Sequence, residues 1–343
     1  MKWCFFIFSK HGDALADTEF AETHPLGGSE TAALHMVAAL RRIGDEVTIV
    51  TRLEDVPAAQ CDVFVNLRTW QIFQDGPGPG RINYLWCHDG VGNQMLEPLR
   101  DSAVAERVYG RADRVIVLSR YMAGVWSENF NLPANKIFLS SNGIPFDRFS
   151  VDPESIVARP RRAYYSSVPY MGLEFLLKAW PIISEAVPQS ELHVFSSVKV
   201  YESVETEEFK RLYAEAERLP GVTYRGSVGQ SELREEIKKS RVLAYPCIVP
   251  ETSCITAMEA MAGGAAVAST AIGAMPETAW RNALVAPDRK WLENWIGEVV
   301  QLLVDDDYYL DLAKQNVAVA RLYDWSLVAQ KWRRRARVDL AKR

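Results

Sequence analysis

The chain has 343 residues, 48% of them hydrophobic and 24% charged, which fits about two domains with real cores. A net charge of −5 argues against a body built to bind nucleic acid, since such proteins usually present a net basic face. The five cysteines, Cys4, Cys61, Cys87, Cys247 and Cys254, are odd in number and show no metal-ligand pairing, a pattern that fits free thiols in a reducing cytosol.

The opening apolar run is only about six residues deep, too short for a signal-peptide core or a bilayer span, and it predicts a first buried strand over residues 3–8. Short apolar runs at 46–50, 63–67, 82–86 and 114–118 follow, with a first crossover helix over 30–43. This alternation is that of a parallel sheet wrapped by helices. Gly27-Gly28-Ser29-Glu30 lies between the long loop after the first strand and that helix, where glycines let backbone approach a ligand and helix N–H groups point outward. A plain N-cap with entry glycines accounts for the same residues. Residues 76–80 read Gly-Pro-Gly-Pro-Gly, but the prolines remove donors and a strand follows, so a turn is expected and not a phosphate loop. His88 follows the strand run Tyr84-Leu85-Trp86-Cys87, at the carboxyl end where ligands bind in open α/β sheets. His11 could reach a ligand from the first loop.

After Asn142-Gly143, read as a turn, and Pro145, read as the exit into a linker near 150–160, the pattern restarts. Strands are expected at 163–167, 191–195, 222–224, 242–245 and 266–269. Residues 250–278 carry the most chemistry. Glu251 stands before a helix beginning near Cys254, and Glu259 about one turn inside it, so both carboxylates can face one ligand. Unpaired N–H groups at such a helix start attract phosphate. Carboxylates beside a phosphate would repel it unless they accept hydrogen bonds from sugar hydroxyls, and a nucleotide sugar has that shape. Capping residues, a solvated Glu259 and close helix–strand packing by the small residues 260–268 explain the same string. The residue types alone leave both readings open.

The whole string, Glu251, seven residues, Glu259 and an alanine-glycine-rich helix end, resembles the signature of the retaining glycosyltransferases of family 4. The resemblance runs from Gly27 to Trp325. It implies the α/β GT-B fold, two Rossmann-like doubly wound domains facing a central cleft. Residues 1–155 would form the acceptor-side domain, with the C-terminal segment 323–343 packing back on it through a helix over about 329–340. Residues 156–322 would hold the nucleotide sugar. The implied activity is transfer of a sugar, with retention, from a nucleotide-diphosphate sugar to a hydroxyl of a glycan, lipid-linked or small-molecule acceptor, without metal or other cofactor.

By the same resemblance Glu259 would hold ribose hydroxyls and Glu251 donor-sugar hydroxyls. Backbone N–H groups of Ser253, Cys254 and Ile255 would meet the phosphates with Thr256 beside them. His88 would contact the sugar, and Gly27 and Gly28 would lie near the diphosphate and acceptor. Ser167 and Met171 stand where the family places an arginine and a lysine that neutralise the diphosphate. Ser167, backbone donors, or Arg68, Lys199 or Arg225 would have to compensate. This departure keeps two alternatives open: a nucleotide-binding protein without turnover, and an epimerase or phosphorylase on the same fold. The run 331–337, rich in Lys and Arg, reads as a solvated basic helix face; the other reading is contact with anionic lipid at the inner face of the membrane. Asp305-Asp306-Asp307 contains a D-x-D pattern but is more simply an exposed turn and helix cap.

Overall fold

The computed structural model describes residues 1–149, 151, 153–199 and 204–343; Ser150 and Asp152 of the expected linker lie outside them. The chain divides into two compact units, one of Met1–Phe20, Gly28–Ile144 and Asp324–Arg343, the other of Ala21–Gly27 and Pro145–Tyr323. The division after Ile144 falls about ten residues before the expected 155/156, and the short segment Ala21–Gly27 groups with the second unit.

In the first unit, strands β1 (Lys2–Phe6), β2 (Glu46–Val50), β3 (Cys61–Leu67), β4 (Gly80–Trp86), β5 (Arg114–Val117) and β6 (Ile137–Leu139) form one sheet in the order β2-β1-β3-β4-β5-β6. Every pairing is parallel, so all carboxyl ends lie along one edge. Helices α1 (Gly28–Arg42), α2 (Ser102–Arg111) and α3 (Arg120–Asn129) connect them. β1 ends two residues earlier than expected. Ile7 still donates to the Val50 carbonyl at 2.9 Å, but Phe8 is 75% exposed and leaves the sheet. β6, a strand of three residues, is not among the expected ones.

The C-terminal helix Trp325–Leu340 belongs to this unit and starts four residues earlier than expected, because Asp324 caps it by accepting from the Ser326 N–H at 2.7 Å. Its Trp332 is fully buried, stacked at 6.3 Å on Phe5 and edge-on at 4.8 Å to Trp86, and its indole donates to the Ser140 hydroxyl at 2.8 Å. Within the basic run, Arg333 pairs with Asp45 at 3.3 Å and Arg335 with Asp339 at 2.7 Å, so two of its charges serve the unit itself. Asn142-Gly143 forms no turn. The backbone runs straight into a parallel bridge between Ile144 and Asp324, with Trp325 N–H on the Ile144 carbonyl at 3.1 Å.

In the second unit, β7 (Arg162–Ser166), β8 (Glu191–Phe195), β9 (Val222–Tyr224), β10 (Val242–Tyr245), β11 (Ala266–Thr270) and β12 (Ala283–Val285) form a second parallel sheet, in the order β12-β11-β10-β7-β8-β9. Its helices are α4 (Leu173–Ala186), α5 (Glu207–Arg218), α6 (Gln230–Ile237), α7 (Ile255–Ala262), α8 (Trp291–Val304) and α9 (Asp306–Ala320). β12, like β6, is a three-residue strand that the sequence pattern does not announce. β10 and β11 are buried along their whole length, as interior strands of a parallel sheet must be. Asp305 caps α9 by accepting from the Tyr308 N–H at 3.0 Å, and Asp306 pairs with Arg241 at 2.5 Å, so the acidic run is a helix start. Among the described residues no helix is long and apolar enough to cross a membrane. Both sheets with their flanking helices make the GT-B architecture of two Rossmann-like domains.

Candidate active site

The second unit gathers its candidate residues at the carboxyl ends of β7 and β10, the edge where parallel α/β sheets place their ligands. The chain leaves β10 at Tyr245, turns through residues 246–254 and enters α7 at Ile255. Cys254, the residue before the helix, makes no capping hydrogen bond with its side chain.

Glu251 is fixed from both sides. Its backbone forms a parallel bridge to Gly273, and its carbonyl accepts the Ala274 N–H at 2.8 Å. Gly273 has φ +62°, and a Cβ there would come within 2.5 Å of both the N and O of Glu251, so only glycine fits. The Glu251 side chain is partly exposed. The Tyr245 phenol donates to its Oε1 at 2.5 Å. Burial pushes its carboxyl above the ordinary range, while Tyr245, the Cys254 thiol and the Thr252 N–H pull it back down.

Glu259 lies on the second turn of α7 and is 4% exposed. Among the described residues nothing donates a hydrogen bond to its carboxylate. Burial raises its pKa to about 7; the Arg234 charge works against that shift and Glu22 adds to it. A buried carboxylate without a donor is costly unless something else supplies one.

Ser167 follows β7, with its hydroxyl 3.5 Å from the Tyr245 phenol. Thr256 donates its hydroxyl proton to the Ser166 carbonyl at 3.0 Å, so it ties α7 to β7 and is left only as an acceptor for a ligand. Ser253 and Cys254 are buried and Ile255 is partly exposed, with the backbone of all three at the helix entrance. Ser167, Glu251, Ser253, Cys254, Ile255, Thr256 and Glu259 thus come together in one unit.

His88 and Gly28 lie on the first unit, at the carboxyl edge of its sheet. Gly28 begins α1, and Ser9 from the loop after β1 donates to Glu30 in the first turn of that helix. Gly27, one residue earlier, groups with the second unit. His88 sits edge-on to Trp86 at 4.8 Å. Burial, then the Arg68 charge, lower its pKa to about 3 against the opposing pull of Asp89. Its imidazole is therefore neutral at physiological pH and acts as a hydrogen-bonding group, not as a cation.

The three cations expected to compensate for Ser167 and Met171 are all engaged by carboxylates. Arg68, at φ +64°, binds Asp89 bidentately at 2.8 and 2.7 Å. Lys199 faces Glu205 at 3.6 Å, and Arg225 binds Glu232 at 2.6 Å. The cation whose charge reaches Glu259 is one the sequence does not announce. Arg234 on α6 is buried, ion-paired with Glu22 and set over the Phe149 ring at 5.7 Å, while Arg148 pairs with the same Glu22. A charged residue in a polar helix reads as solvated, and Glu22 lies 212 positions away in sequence, so no local signal marks the pair.

Residues 159–305 match the family model described as glycosyl transferases group 1. No curated protein sequence matches the chain. Among solved structures the chain is similar to sucrose-phosphate synthase from Thermosynechococcus elongatus, with TM-score 0.75 and 17% identity over 100% of both chains. It is also similar to HepE from Anabaena in complex with UDP-glucose, with TM-score 0.72 and 16% identity over 96% of this chain and 98% of that one. A third is AviGT4, a glycosyltransferase of avilamycin A biosynthesis, at TM-score 0.64 and 14% identity over 99% and 98%. At such identities the likeness is one of fold.

Proposed function

We propose that the protein is a retaining glycosyltransferase of the family 4 type, moving a sugar from a nucleotide-diphosphate sugar to a hydroxyl of a glycan or lipid-linked acceptor in the cytoplasm. The observation that carries this reading is Glu259, a carboxylate 4% exposed and, among the described residues, without a hydrogen-bond donor, one turn inside a helix whose first residue is preceded by no side-chain cap. Two ribose hydroxyls would supply the donors that the fold withholds, and the helix entrance would face the diphosphate. The match of residues 159–305 to group 1 glycosyl transferases supports it, as does the UDP-glucose complex of HepE.

In this reading Glu259 binds the ribose, the N–H groups of Ser253, Cys254 and Ile255 take the phosphates, and Glu251 accepts from a sugar hydroxyl. Gly27, Gly28 and Ser167 stand near the diphosphate. His88 keeps the role that the resemblance gives it, as a neutral hydrogen-bonding group toward the sugar. The acceptor oxygen forms its bond to the anomeric carbon on the face from which the phosphate leaves. The departing phosphate oxygen takes the acceptor proton, and the products are the glycoside with retained configuration and a nucleoside diphosphate. Negative charge growing on that leaving group is stabilised by the helix dipole and backbone donors.

The engagement of Arg68, Lys199 and Arg225 by carboxylates favours one second reading, a protein that binds the nucleotide without turnover. A thermal-shift panel of nucleoside diphosphates and their sugars tests the first step of both. A ligand at a hundred times its dissociation constant stabilises by about 2.7 kcal/mol. Glu259→Ala should abolish the shift, and an unchanged shift would remove Glu259 from the site. Transfer or donor hydrolysis in a coupled assay then separates an enzyme from a binding protein.

A further inference from the structure

We infer that Tyr245 is a positioning residue for Glu251: its phenol occupies one carboxylate oxygen, so that Glu251 offers the donor sugar a single, pre-aimed acceptor edge. The inference rests on the reading of Glu251 as the group that meets the donor sugar. Tyr245 is the last residue of β10, 1% exposed, and its ring packs against Tyr165 of β7 at 5.9 Å, which leaves the phenol little freedom. From that fixed point it donates to Glu251 Oε1 at 2.5 Å. A second donor, the Cys254 thiol, reaches the same carboxylate from the start of α7. With the Thr252 N–H as a third, the protein takes three of the carboxylate's roughly four lone-pair directions.

The phenol also links two parts of the site. The Ser167 hydroxyl lies 3.5 Å from the Tyr245 oxygen and also approaches Tyr165, so the end of β7 and the loop carrying Glu251 share one group of hydroxyls. The titratable groups facing Glu251 are Tyr245 and Cys247 at the end of β10, Tyr165 on β7 and Cys254 before α7. All are neutral donors or thiols. Glu251 is therefore held by hydrogen bonds in place of an ion pair, and a hydrogen bond fixes direction where a point charge does not.

The test uses Tyr245→Phe, which keeps the ring and removes the hydroxyl, in the full-length protein. Titration of the Glu251 carboxyl by ¹³C NMR, without ligand, should move to higher pH, since the variant removes a donor to the ionised form. Calorimetry should show UDP bound within about twofold of wild type and UDP-glucose weakened about tenfold, the scale of one hydrogen bond to a charged group. An unmoved carboxyl titration, or equal losses for UDP and UDP-glucose, would overturn the positioning role. If wild type binds neither UDP nor UDP-glucose, a uridine donor is what falls, while the ligand-free titration still decides whether Tyr245 governs Glu251. Should Tyr245→Phe fold poorly, a fluorinated tyrosine at 245 has a more acidic phenol, and the Glu251 titration should move to lower pH.

Discussion

Replacing Glu259 by Gln separates what this carboxylate costs the fold from what it gives the site. In the folded chain its pKa stands at about 7, against an ordinary value of 4.5, because burial disfavours the charge. The folded protein therefore keeps a proton that the unfolded chain releases, and stability falls as pH rises from about 4.5 to about 7. At pH 8 the full penalty is about 3 kcal/mol, and below about pH 4.5 it vanishes. Gln carries no charge, so Glu259→Gln should stabilise the free protein at pH 8, by at most that amount because its amide is also buried without partners. Nucleotide binding should respond in the opposite sense. The ionised form rises about tenfold between pH 6 and pH 8, and wild-type affinity for a nucleoside diphosphate should climb with it. The variant should lose that slope and bind about ten- to a hundredfold more weakly at pH 8. Urea unfolding at pH 5 and pH 8, together with calorimetry across the same range, reads both effects. A variant that is less stable than wild type at pH 8, or that binds nucleotide with the wild-type pH slope, would remove Glu259 from the role given to it.

Glu22→Gln should lower the Glu259 titration midpoint, because Glu22 is the charge that raises it after burial, and should strengthen nucleotide binding at pH 6; unchanged affinity there would mean that Glu259 does not sense Glu22. His88, with a pKa of about 3, should contribute no limb to the activity profile between pH 5 and pH 9, and His88→Ala should lower kcat/KM about tenfold or more at every pH in that range. A limb near pH 6.5 that vanishes in the variant would show a titrating His88 instead. Gly273→Ala forces an L-residue to φ +62° against the backbone of Glu251, so thermal melts should show a loss of about 2 kcal/mol or more, with donor binding lost along with it. A variant as stable as wild type would mean that the loop carrying Glu251 yields freely.

The fold was legible because the period of the pattern changes with each element. The runs 46–50, 63–67, 82–86, 191–195, 222–224 and 242–245 end where the strands end, since each is bounded by polar or turn residues, whether the strand is interior or, like β2 and β9, at a sheet edge. β6 and β12, three residues each, were not anticipated, although β9 of the same length was, so shortness weakens the signal without deciding it. The C-terminal helix began earlier than its amphipathic pattern because Asp324 caps it, a hydrogen bond that the pattern does not contain. At the site, the spacing of Glu251 and Glu259 was readable since it is local to one loop and one helix. Tyr245 looked like an ordinary strand residue, and the Arg234–Glu22 pair joins residues that only folding brings together. The same limit explains Arg68, Lys199 and Arg225: sequence shows their charge but not the carboxylates that occupy it.

The central proposal is that the β10–α7 junction grips a nucleotide sugar through its two glutamates. A crystal structure of the protein with the nucleotide sugar that gives the largest thermal shift tests it most directly. Ribose hydroxyls within hydrogen-bond distance of Glu259, phosphates on the N–H groups that open α7, and a sugar hydroxyl on Glu251 are expected. A nucleotide seated elsewhere, with no ligand atom within reach of Glu259, would be incompatible with it.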